Sequence, residues 1–194
     1  MNGRRRFKRV LGRWQAMALG FVLFVAAACG GDAAEETADT DAGAAGSDSF
    51  RVVAYQGAEA LGGEEIAFAS LLGQGTPVVL NFWAALCPPC LAEMPWFDAV
   101  AREYEDRVLM VGVDIGPFIG LGTNEQGGDL LERLEIAYPA AYAVDDRPMR
   151  DFQVLGMPTT IFFDGDGEVI EKHTGVLTEQ QIDDWFHDLA EGAR

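Results

Sequence analysis

Two cysteines separated by two residues, Cys87 and Cys90, are the clearest chemical feature of the sequence. They fall at the predicted start of a helix, where unpaired backbone N–H groups and the helix dipole stabilise a thiolate. We therefore expect the pKa of Cys87 to lie below the value of about 8.5 that a free cysteine has. Because a thiolate is the species that attacks a disulfide, this pair predicts thiol-disulfide exchange. Cys87 is expected to be the nucleophile, and Cys90 is expected to resolve the mixed disulfide.

The same pair also fits a static disulfide, half of a zinc site or a haem attachment motif. Zinc requires four ligands, and the other candidates are Cys29 and the distant His173 and His187. Haem attachment requires a histidine directly after the second cysteine, where this chain has Leu91. A copper(I) chaperone that uses both thiols as soft ligands is the competing functional hypothesis. Under the exchange hypothesis we expect no metal and no cofactor apart from the redox-active disulfide.

The residues on either side of the cysteines predict a strand, a helix and a second strand. Residues 78–83 form a short apolar run, which is typical of a strand that is buried on both faces of a parallel sheet. Residues 108–113 form a second such run. Between them, apolar side chains recur at helical spacing: Leu91, Met94, Phe97, Val100 and Ala101. This order predicts a βαβ unit with the cysteines at its first connection.

The second half of the chain predicts a hairpin followed by a terminal helix. A glycine-rich loop is expected over 116–128 and a helix over 129–134. The tetrapeptide at 164–167, DGDG, separates two strand-like runs, which is typical of a hairpin. A capping-box pattern starts a helix over 178–190. A βαβ half followed by ββα is the thioredoxin arrangement, an α/β fold with a central mixed sheet flanked by helices.

The first 29 residues have the layout of a bacterial lipoprotein signal. Six Lys and Arg residues within the first 13 positions precede an apolar stretch over 16–28, and small residues come directly before Cys29. Lipidation of Cys29 would anchor the chain to the outer surface of the cell membrane. The alternatives are an ordinary cleaved signal peptide and an uncleaved anchor. All three place the rest of the chain outside the cytoplasm.

Residues 30–49 contain only small and polar residue types, so we expect a flexible acidic linker before a domain that covers 50–194. The formal net charge is −17, and only eight Lys and Arg residues follow the leader, against 31 Asp and Glu residues. An acidic surface disfavours nucleic acids and anionic lipid headgroups as ligands. The composition therefore favours neutral or basic partners, and it is also typical of a soluble exported domain.

Two segments of the domain resemble a known family. Segment 81–95, NFWAALCPPCLAEMP, resembles the active-site segment of the TlpA/ResA-like thioredoxins, which are bacterial membrane-anchored thiol-disulfide oxidoreductases. Segment 156–160, GMPTT, resembles the cis-proline loop of that family. One departure is Leu86, where many relatives have an aromatic residue, and this change affects the contact surface for partners. Peroxiredoxins have a threonine three residues before the reactive cysteine, where this chain has Ala84.

The resemblance implies roles for several further residues. Pro158 is expected to be cis and to lie beside the disulfide, where the backbone of Met157 can pair with a substrate peptide. Trp83 is expected to pack beside the active site and the same groove, although an aromatic residue of the core would have the same sequence pattern. Glu93 matches an acidic residue that the family places near the cysteines, and helical spacing puts it on the same face as Cys90. A partly buried carboxyl there would exchange a proton with Cys90, whereas a solvated glutamate would have the same sequence pattern.

The leading hypothesis is an extracytoplasmic reductase or exchange catalyst that acts on the cysteines of exported proteins. The resemblance implies clients such as apocytochrome c during cytochrome c maturation, or exported proteins under disulfide quality control. A membrane electron donor would regenerate the dithiol. Neither the sequence nor the dipeptide Pro88-Pro89 decides the direction of electron flow.

Overall fold

The computed structural model describes residues 50–192, which form one seven-stranded sheet flanked by helices. The strands are β1 (Arg51–Gln56), β2 (Glu65–Ala67), β3 (Val78–Trp83), β4 (Leu109–Asp114), β5 (Ala140–Ala143), β6 (Thr159–Phe163) and β7 (Val169–Thr174). The helices are α1 (Ala58–Leu61), α2 (Pro88–Glu103), α3 (Gly116–Ile119), α4 (Asn124–Arg133), α5 (Arg147–Asp151) and α6 (Glu179–Ala190), and a 3₁₀ turn spans Phe68–Leu71. No helix within this range is long and apolar enough to cross a membrane. The predicted leader, Cys29 and the linker lie outside the described residues.

The strand order in the sheet is β2-β1-β5-β4-β3-β6-β7. Strands β3, β4 and β5 run parallel to one another, and every other neighbouring pair is antiparallel. The sheet is therefore mixed, which confirms the predicted α/β class. The ends of β3, β4, β5 and β7 and the start of β6 all lie at one edge, which we call the carboxyl edge.

Strand β3 lies inside the sheet between β4 and β6, and all six of its side chains are buried. Its even-numbered side chains enter the apolar core on one face, and its odd-numbered side chains lie beneath α2 and α6 on the other. Burial of one large apolar side chain stabilises a fold by roughly 1.5–3 kcal/mol, so this strand contributes heavily to both cores. Asn81 is the one polar residue in β3, and it faces α2.

Helices α2 and α6 pack together on the odd-numbered face of β3. The ring of Phe97 in α2 lies 6.5 Å from the ring of Phe186 in α6, measured between centroids. Trp185 of α6 stacks on Phe162 of β6 with a centroid separation of 4.4 Å. The predicted capping box is present at Thr178, which confirms how α6 begins.

Helix α4 begins at Asn124, earlier than the predicted start at Asp129. Thr123 caps this helix, because its Oγ1 accepts a hydrogen bond from Gln126 N at 3.2 Å and its own N–H donates to Gln126 Oε1 at 3.0 Å. Two consecutive glycines within the first two turns disfavour a helix on local propensity, which is why the sequence predicted a loop. The capping box and the tertiary packing override that propensity.

The two glycines of α4 are expected to respond in opposite ways to replacement by alanine. A Cβ on Gly127 would lie 2.5 Å from both Asp114 Oδ2 and Tyr55 OH, whereas the nearest atom to a Cβ on Gly128 is 3.9 Å away. We expect Gly127→Ala to lower the free energy of unfolding by roughly 1–3 kcal/mol through overpacking. We expect Gly128→Ala to raise it by roughly 0.5–1 kcal/mol through helix propensity. Urea unfolding measures both, and equal stabilisation by the two variants would contradict the packing of Gly127.

Candidate active site

Cys87 and Cys90 form a disulfide at the start of α2, immediately beyond the carboxyl end of β3. Their Cα atoms are 5.3 Å apart. The two residues differ in access to solvent, since Cys87 is 3% exposed and Cys90 is fully buried. An incoming sulfur atom can therefore reach this disulfide only from the side of Cys87.

Cys87 is the N-cap residue of α2, and Pro88 and Pro89 occupy the first turn. Because proline has no N–H group, the first backbone donor of the helix is Cys90 N. This N–H donates to Cys87 Sγ over 3.4 Å. One backbone hydrogen bond and the positive end of the helix dipole are thus directed at the outer sulfur, where they stabilise a thiolate.

The segment that precedes Cys87 is held by a loop from the next strand. Leu86 N donates to Leu121 O at 2.9 Å, and Leu121 N donates to Gly116 O at 3.0 Å. Ala85 packs tightly against this loop, because a Cβ on Gly122 would lie 2.9 Å from Ala85 Cβ. The segment over 116–122, which consists of α3 and the turn after it, therefore fixes the backbone directly before Cys87.

Glu93 lies one helical turn beyond Cys90 and is fully buried. Its Oε1 accepts a hydrogen bond from Asn81 Nδ2 at 2.8 Å, and its Oε2 accepts one from Leu177 N at 3.0 Å. Burial raises the pKa of this carboxyl to about 7, although the two hydrogen bonds act in the opposite direction. A group with this pKa can both accept and donate a proton near neutral pH. The solvated alternative for Glu93 is wrong, because the side chain has no contact with solvent.

Asp114, at the carboxyl end of β4, is a second buried carboxyl. Its Oδ1 accepts from Gly116 N at 2.7 Å, and its Oδ2 accepts from Tyr55 OH at 3.0 Å. Burial raises its pKa to about 6, against the lowering effect of these two hydrogen bonds. No local sequence signal identifies the contact between Asp114 and Tyr55. Tyr55 belongs to β1, and the two side chains become neighbours only when the sheet has formed. Asp114 and Tyr55 together hold the start of the segment over 116–122 in place.

The peptide bond between Met157 and Pro158 is cis, as the resemblance implied. Pro158 is buried, Met157 is half-buried, and β6 begins at the next residue. Thr159 pairs with Phe82 near the end of β3, which places the cis-proline loop at the carboxyl edge together with the disulfide. Pro158 O accepts a hydrogen bond from Gly175 N at 2.9 Å.

Trp83 was expected beside the substrate groove, and its side chain is fully buried. It packs beneath the surface against Tyr55, with ring centroids 6.2 Å apart. Trp83 can therefore support a groove only from below. Within residues 50–192, no group of three or more His, Cys, Asp and Glu side chains is placed to hold a metal ion.

Comparison with known proteins adds independent information. The family model described as AhpC/TSA family matches residues 51–172. The thiol-disulfide oxidoreductase ResA of Halalkalibacterium halodurans is 32% identical over 131 residues, which cover 66% of this chain and 69% of that protein. The thioredoxin-like protein YneN of Bacillus subtilis is 30% identical over 112 residues, which cover 57% of this chain and 63% of YneN.

Solved structures share the same fold. The pneumococcal exposed lipoprotein thioredoxin Etrx1 of Streptococcus pneumoniae is similar with a TM-score of 0.60 and 22% identity, over 72% of this chain and 98% of Etrx1. A secreted Mycobacterium tuberculosis disulfide oxidoreductase homologous to E. coli DsbE has a TM-score of 0.60 and 21% identity, over 75% of this chain and all of that one (100%). These likenesses confirm the predicted thioredoxin arrangement.

The two buried carboxyls predict that stability falls as pH rises. Burial raises the pKa of Glu93 from 4.5 to about 7 and that of Asp114 from 3.8 to about 6. Between these limits the folded protein binds more protons than the unfolded chain, so the free energy of unfolding decreases with pH. We expect a loss on the order of 2–4 kcal/mol between about pH 5 and about pH 8, measured by urea unfolding.

The control is the double variant Glu93→Gln, Asp114→Asn, which keeps both side-chain shapes and cannot ionise at either site. Over the same pH range, the free energy of unfolding of this variant should fall much less than that of the unaltered protein. If the double variant and the unaltered protein lose stability equally over this range, the two carboxyls are not the cause.

Proposed function

We propose that this chain, which belongs to the AhpC/TSA family and within it to the TlpA/ResA-like thioredoxins, reduces disulfide bonds in exported proteins. It is a thiol-disulfide oxidoreductase, as its relatives are. The observation that carries the proposal is the asymmetry of the Cys87–Cys90 pair. Cys87, at the start of α2, keeps a small exposure of 3%, whereas Cys90 in the first turn is fully buried.

In the proposed cycle, the reduced protein attacks a client disulfide through the Cys87 thiolate. The Cys87 sulfur bonds to one client sulfur, and the other client sulfur leaves as a thiolate that takes a proton from water. The Cys90 thiol then loses its proton to the Glu93 carboxylate and attacks the Cys87 sulfur. The second client sulfur leaves, and the Cys87–Cys90 disulfide forms. Two electrons pass to the client, and a dithiol donor at the membrane then reduces the Cys87–Cys90 disulfide and is itself oxidised to a disulfide.

Glu93 supports the resolving step through its position and its proton affinity. Residues three apart in a helix lie on one face, and both Cys90 and Glu93 are buried on the inner face of α2. Water is excluded from that side of the disulfide, so the Cys90 proton needs an acceptor within the protein. A carboxyl whose pKa is raised to about 7 by burial is suited to accept it and later to return it.

The surface around the disulfide favours a polypeptide client. Seven large apolar side chains are exposed among the described residues, and six of them lie at the carboxyl edge: Leu86, Phe118, Ile119, Val144, Leu155 and Val176. We call these six residues the apolar rim. The seventh, Val169, starts β7 at the opposite edge. Clustered apolar surface on an otherwise acidic protein is typical of a protein-binding site, and it fits the apolar segments that flank cysteines in incompletely folded clients.

The proposed location is the outer face of a bacterial cell membrane, with lipidated Cys29 as the anchor and residues 30–49 as the tether. The basis is the leader sequence, in which basic residues, an apolar stretch and small residues precede Cys29. Clients there would be exported proteins, including apocytochrome c before haem attachment or proteins with incorrect disulfides. The copper(I) chaperone is not favoured, because the relatives are named as oxidoreductases.

Two single-cysteine variants test the exchange mechanism. We expect Cys90→Ser to form a stable mixed disulfide with a scrambled protein substrate, because Cys87 still attacks and no thiol resolves the adduct. Cys87→Ser should form no adduct and lose all turnover, since its remaining thiol is buried. Non-reducing electrophoresis followed by mass spectrometry identifies the bond. Adducts on Cys90 in the unaltered protein, or none on Cys87, would contradict the assigned roles.

The direction of electron flow is decided on the same protein by redox titration against glutathione. A reductase requires a potential below about −200 mV. A value far above it would overturn the reductase proposal while leaving exchange itself intact.

If the apolar rim binds clients, a substitution in it should impair exchange with a protein substrate and leave exchange with a small dithiol unchanged. Leu155 is 91% exposed and lies in the loop before Pro158, so Leu155→Ser should remove client contacts without moving the disulfide. We expect KM for a protein substrate to rise roughly fivefold to tenfold, which corresponds to about 1–1.4 kcal/mol. Exchange with dithiothreitol should be unchanged.

Val169→Ser is the matched control, because Val169 is 53% exposed and lies at the opposite edge of the sheet. It should change neither KM nor exchange with dithiothreitol. An equal rise in KM for the two variants would show that general surface hydrophobicity, rather than the apolar rim, governs client binding.

A further inference from the structure

Three buried polar atoms beneath α2 have no hydrogen-bond partner within residues 50–192. They are Asn81 Oδ1, Trp83 Nε1 and Tyr138 OH. Native domains leave few buried polar atoms unsatisfied, because each such atom costs about 1–3 kcal/mol. All three residues lie on the α2 side of the sheet: Asn81 bonds to Glu93 in α2, and the other two belong to the same core.

The pairing of the strands places these atoms around a single position. Asn81 pairs with Thr160 of β6 on one side and with Gly112 of β4 on the other. Its Nδ2 donates to Thr160 Oγ1 at 3.0 Å and to Glu93 Oε1 at 2.8 Å, so both of its hydrogens are used. The oxygen and the nitrogen of the amide leave Cγ in different directions. Because Nδ2 bonds to Thr160, Oδ1 is directed away from Thr160 and toward the side of β4.

Gly112 is the position around which the other two groups meet. A Cβ on Gly112 would lie 2.8 Å from Tyr138 Cε2 and 3.0 Å from Trp83 Nε1. The glycine thus allows an indole N–H and a phenol ring to approach the backbone of β4, next to Asn81. Burial, with the negative charges of Asp98 and Glu93, raises the pKa of Tyr138, so its hydroxyl keeps its proton.

The three atoms form a complementary set. Asn81 Oδ1 only accepts, Trp83 Nε1 only donates, and the Tyr138 hydroxyl does either. None of the three is hydrogen-bonded to another. A buried water molecule makes about three hydrogen bonds to polar groups of this kind, as donor and as acceptor. We propose that Asn81, Trp83 and Tyr138 bind one internal water molecule beside Gly112, and that this water holds the Asn81 amide in the orientation that donates to Glu93.

The orientation of the Asn81 amide matters because the opposite orientation would turn its oxygen toward the Glu93 carboxylate, which only accepts hydrogen bonds. If the amide turned over, Oδ1 would face the Glu93 carboxylate and Nδ2 would face the side where Trp83 can only donate. Trp83 and Tyr138 are therefore positioning residues, which act on Glu93 through the water and Asn81. Their importance for exchange rests on the proposed function, whereas the water site itself does not.

The first test is the sign of a stability change. Tyr138→Phe removes only the hydroxyl oxygen. If this oxygen binds the internal water, the variant loses a hydrogen bond and leaves the water with fewer partners, so Tm should fall by about 2–4 °C. If the oxygen is unsatisfied, its removal relieves a desolvation cost and Tm should rise. A rise overturns the proposal.

The second test measures Glu93 directly, in the oxidised protein without any client. Carboxyl ¹³C NMR, assigned with Glu93→Gln, follows the titration of this group. We expect Tyr138→Phe to raise the pKa of Glu93 by about half a unit to one unit, because a freer Asn81 amide stabilises the carboxylate less well. The indole N–H proton of Trp83 should also show a nuclear Overhauser effect to a long-lived water, and its absence would overturn the water site.

Tyr104→Phe is the matched control in the same core. Tyr104 OH already donates to Asp183 Oδ1 at 3.0 Å, so its removal should lower stability without changing the titration of Glu93. An equal shift of the Glu93 pKa in both variants would mean that general loosening of the core is responsible, and it would overturn the positioning role. Because no client is present, these outcomes are independent of whether the protein proves to be a reductase.

Discussion

The carboxyl group of Glu93 is buried between α2 and β3, and the hydrogen bonds around it offset part of the cost of burying it. A carboxylate in an apolar interior requires donors, and the two that it receives come from different parts of the chain. Asn81 belongs to β3, and Leu177 N lies just before α6. These contacts join α2 to β3 and to the residues directly before α6. Because burial outweighs both hydrogen bonds, the pKa stays near 7.

The second buried carboxyl acts through the backbone. Asp114 and Tyr55 secure the start of the loop over 116–122, and Leu121 of that loop accepts a hydrogen bond from Leu86, the residue before Cys87. One carboxyl is buried on the same face of α2 as Cys90, where we propose that it accepts a proton, and the other holds the segment that contacts Leu86. The two have similarly raised pKa values for the same reason, burial, yet only Glu93 follows a cysteine at helical spacing.

The carboxyl edge differs from the rest of the surface in its chemistry. The protein carries a large excess of acidic residues, whereas six of the seven exposed large apolar side chains of residues 50–192 lie in segments at the carboxyl edge. In an α/β sheet the connections that leave the ends of parallel strands meet at one edge, so residues distant in sequence become neighbours there. Phe118 follows β4, and Leu155 precedes β6. They share a surface only because β3 lies between these two strands.

The sequence by itself determined the features that depend on neighbouring residues: the cysteine pair at the start of a helix, the buried strand before it, the capping box at Thr178 and the turn between β6 and β7. These arise from local periodicity, caps and turn chemistry, and a single segment of chain contains all the information. The hairpin of β1 and β2, the true start of α4 and the role of Asp114 could not be predicted, because each depends on contacts between distant segments. Only the tertiary structure decided that Glu93 is buried rather than solvated and that Trp83 is fully buried rather than exposed beside the disulfide. Burial is a property of what packs against a residue, and the packing partners, Leu177 for Glu93 and Tyr55 for Trp83, are remote in sequence from the side chains that they cover.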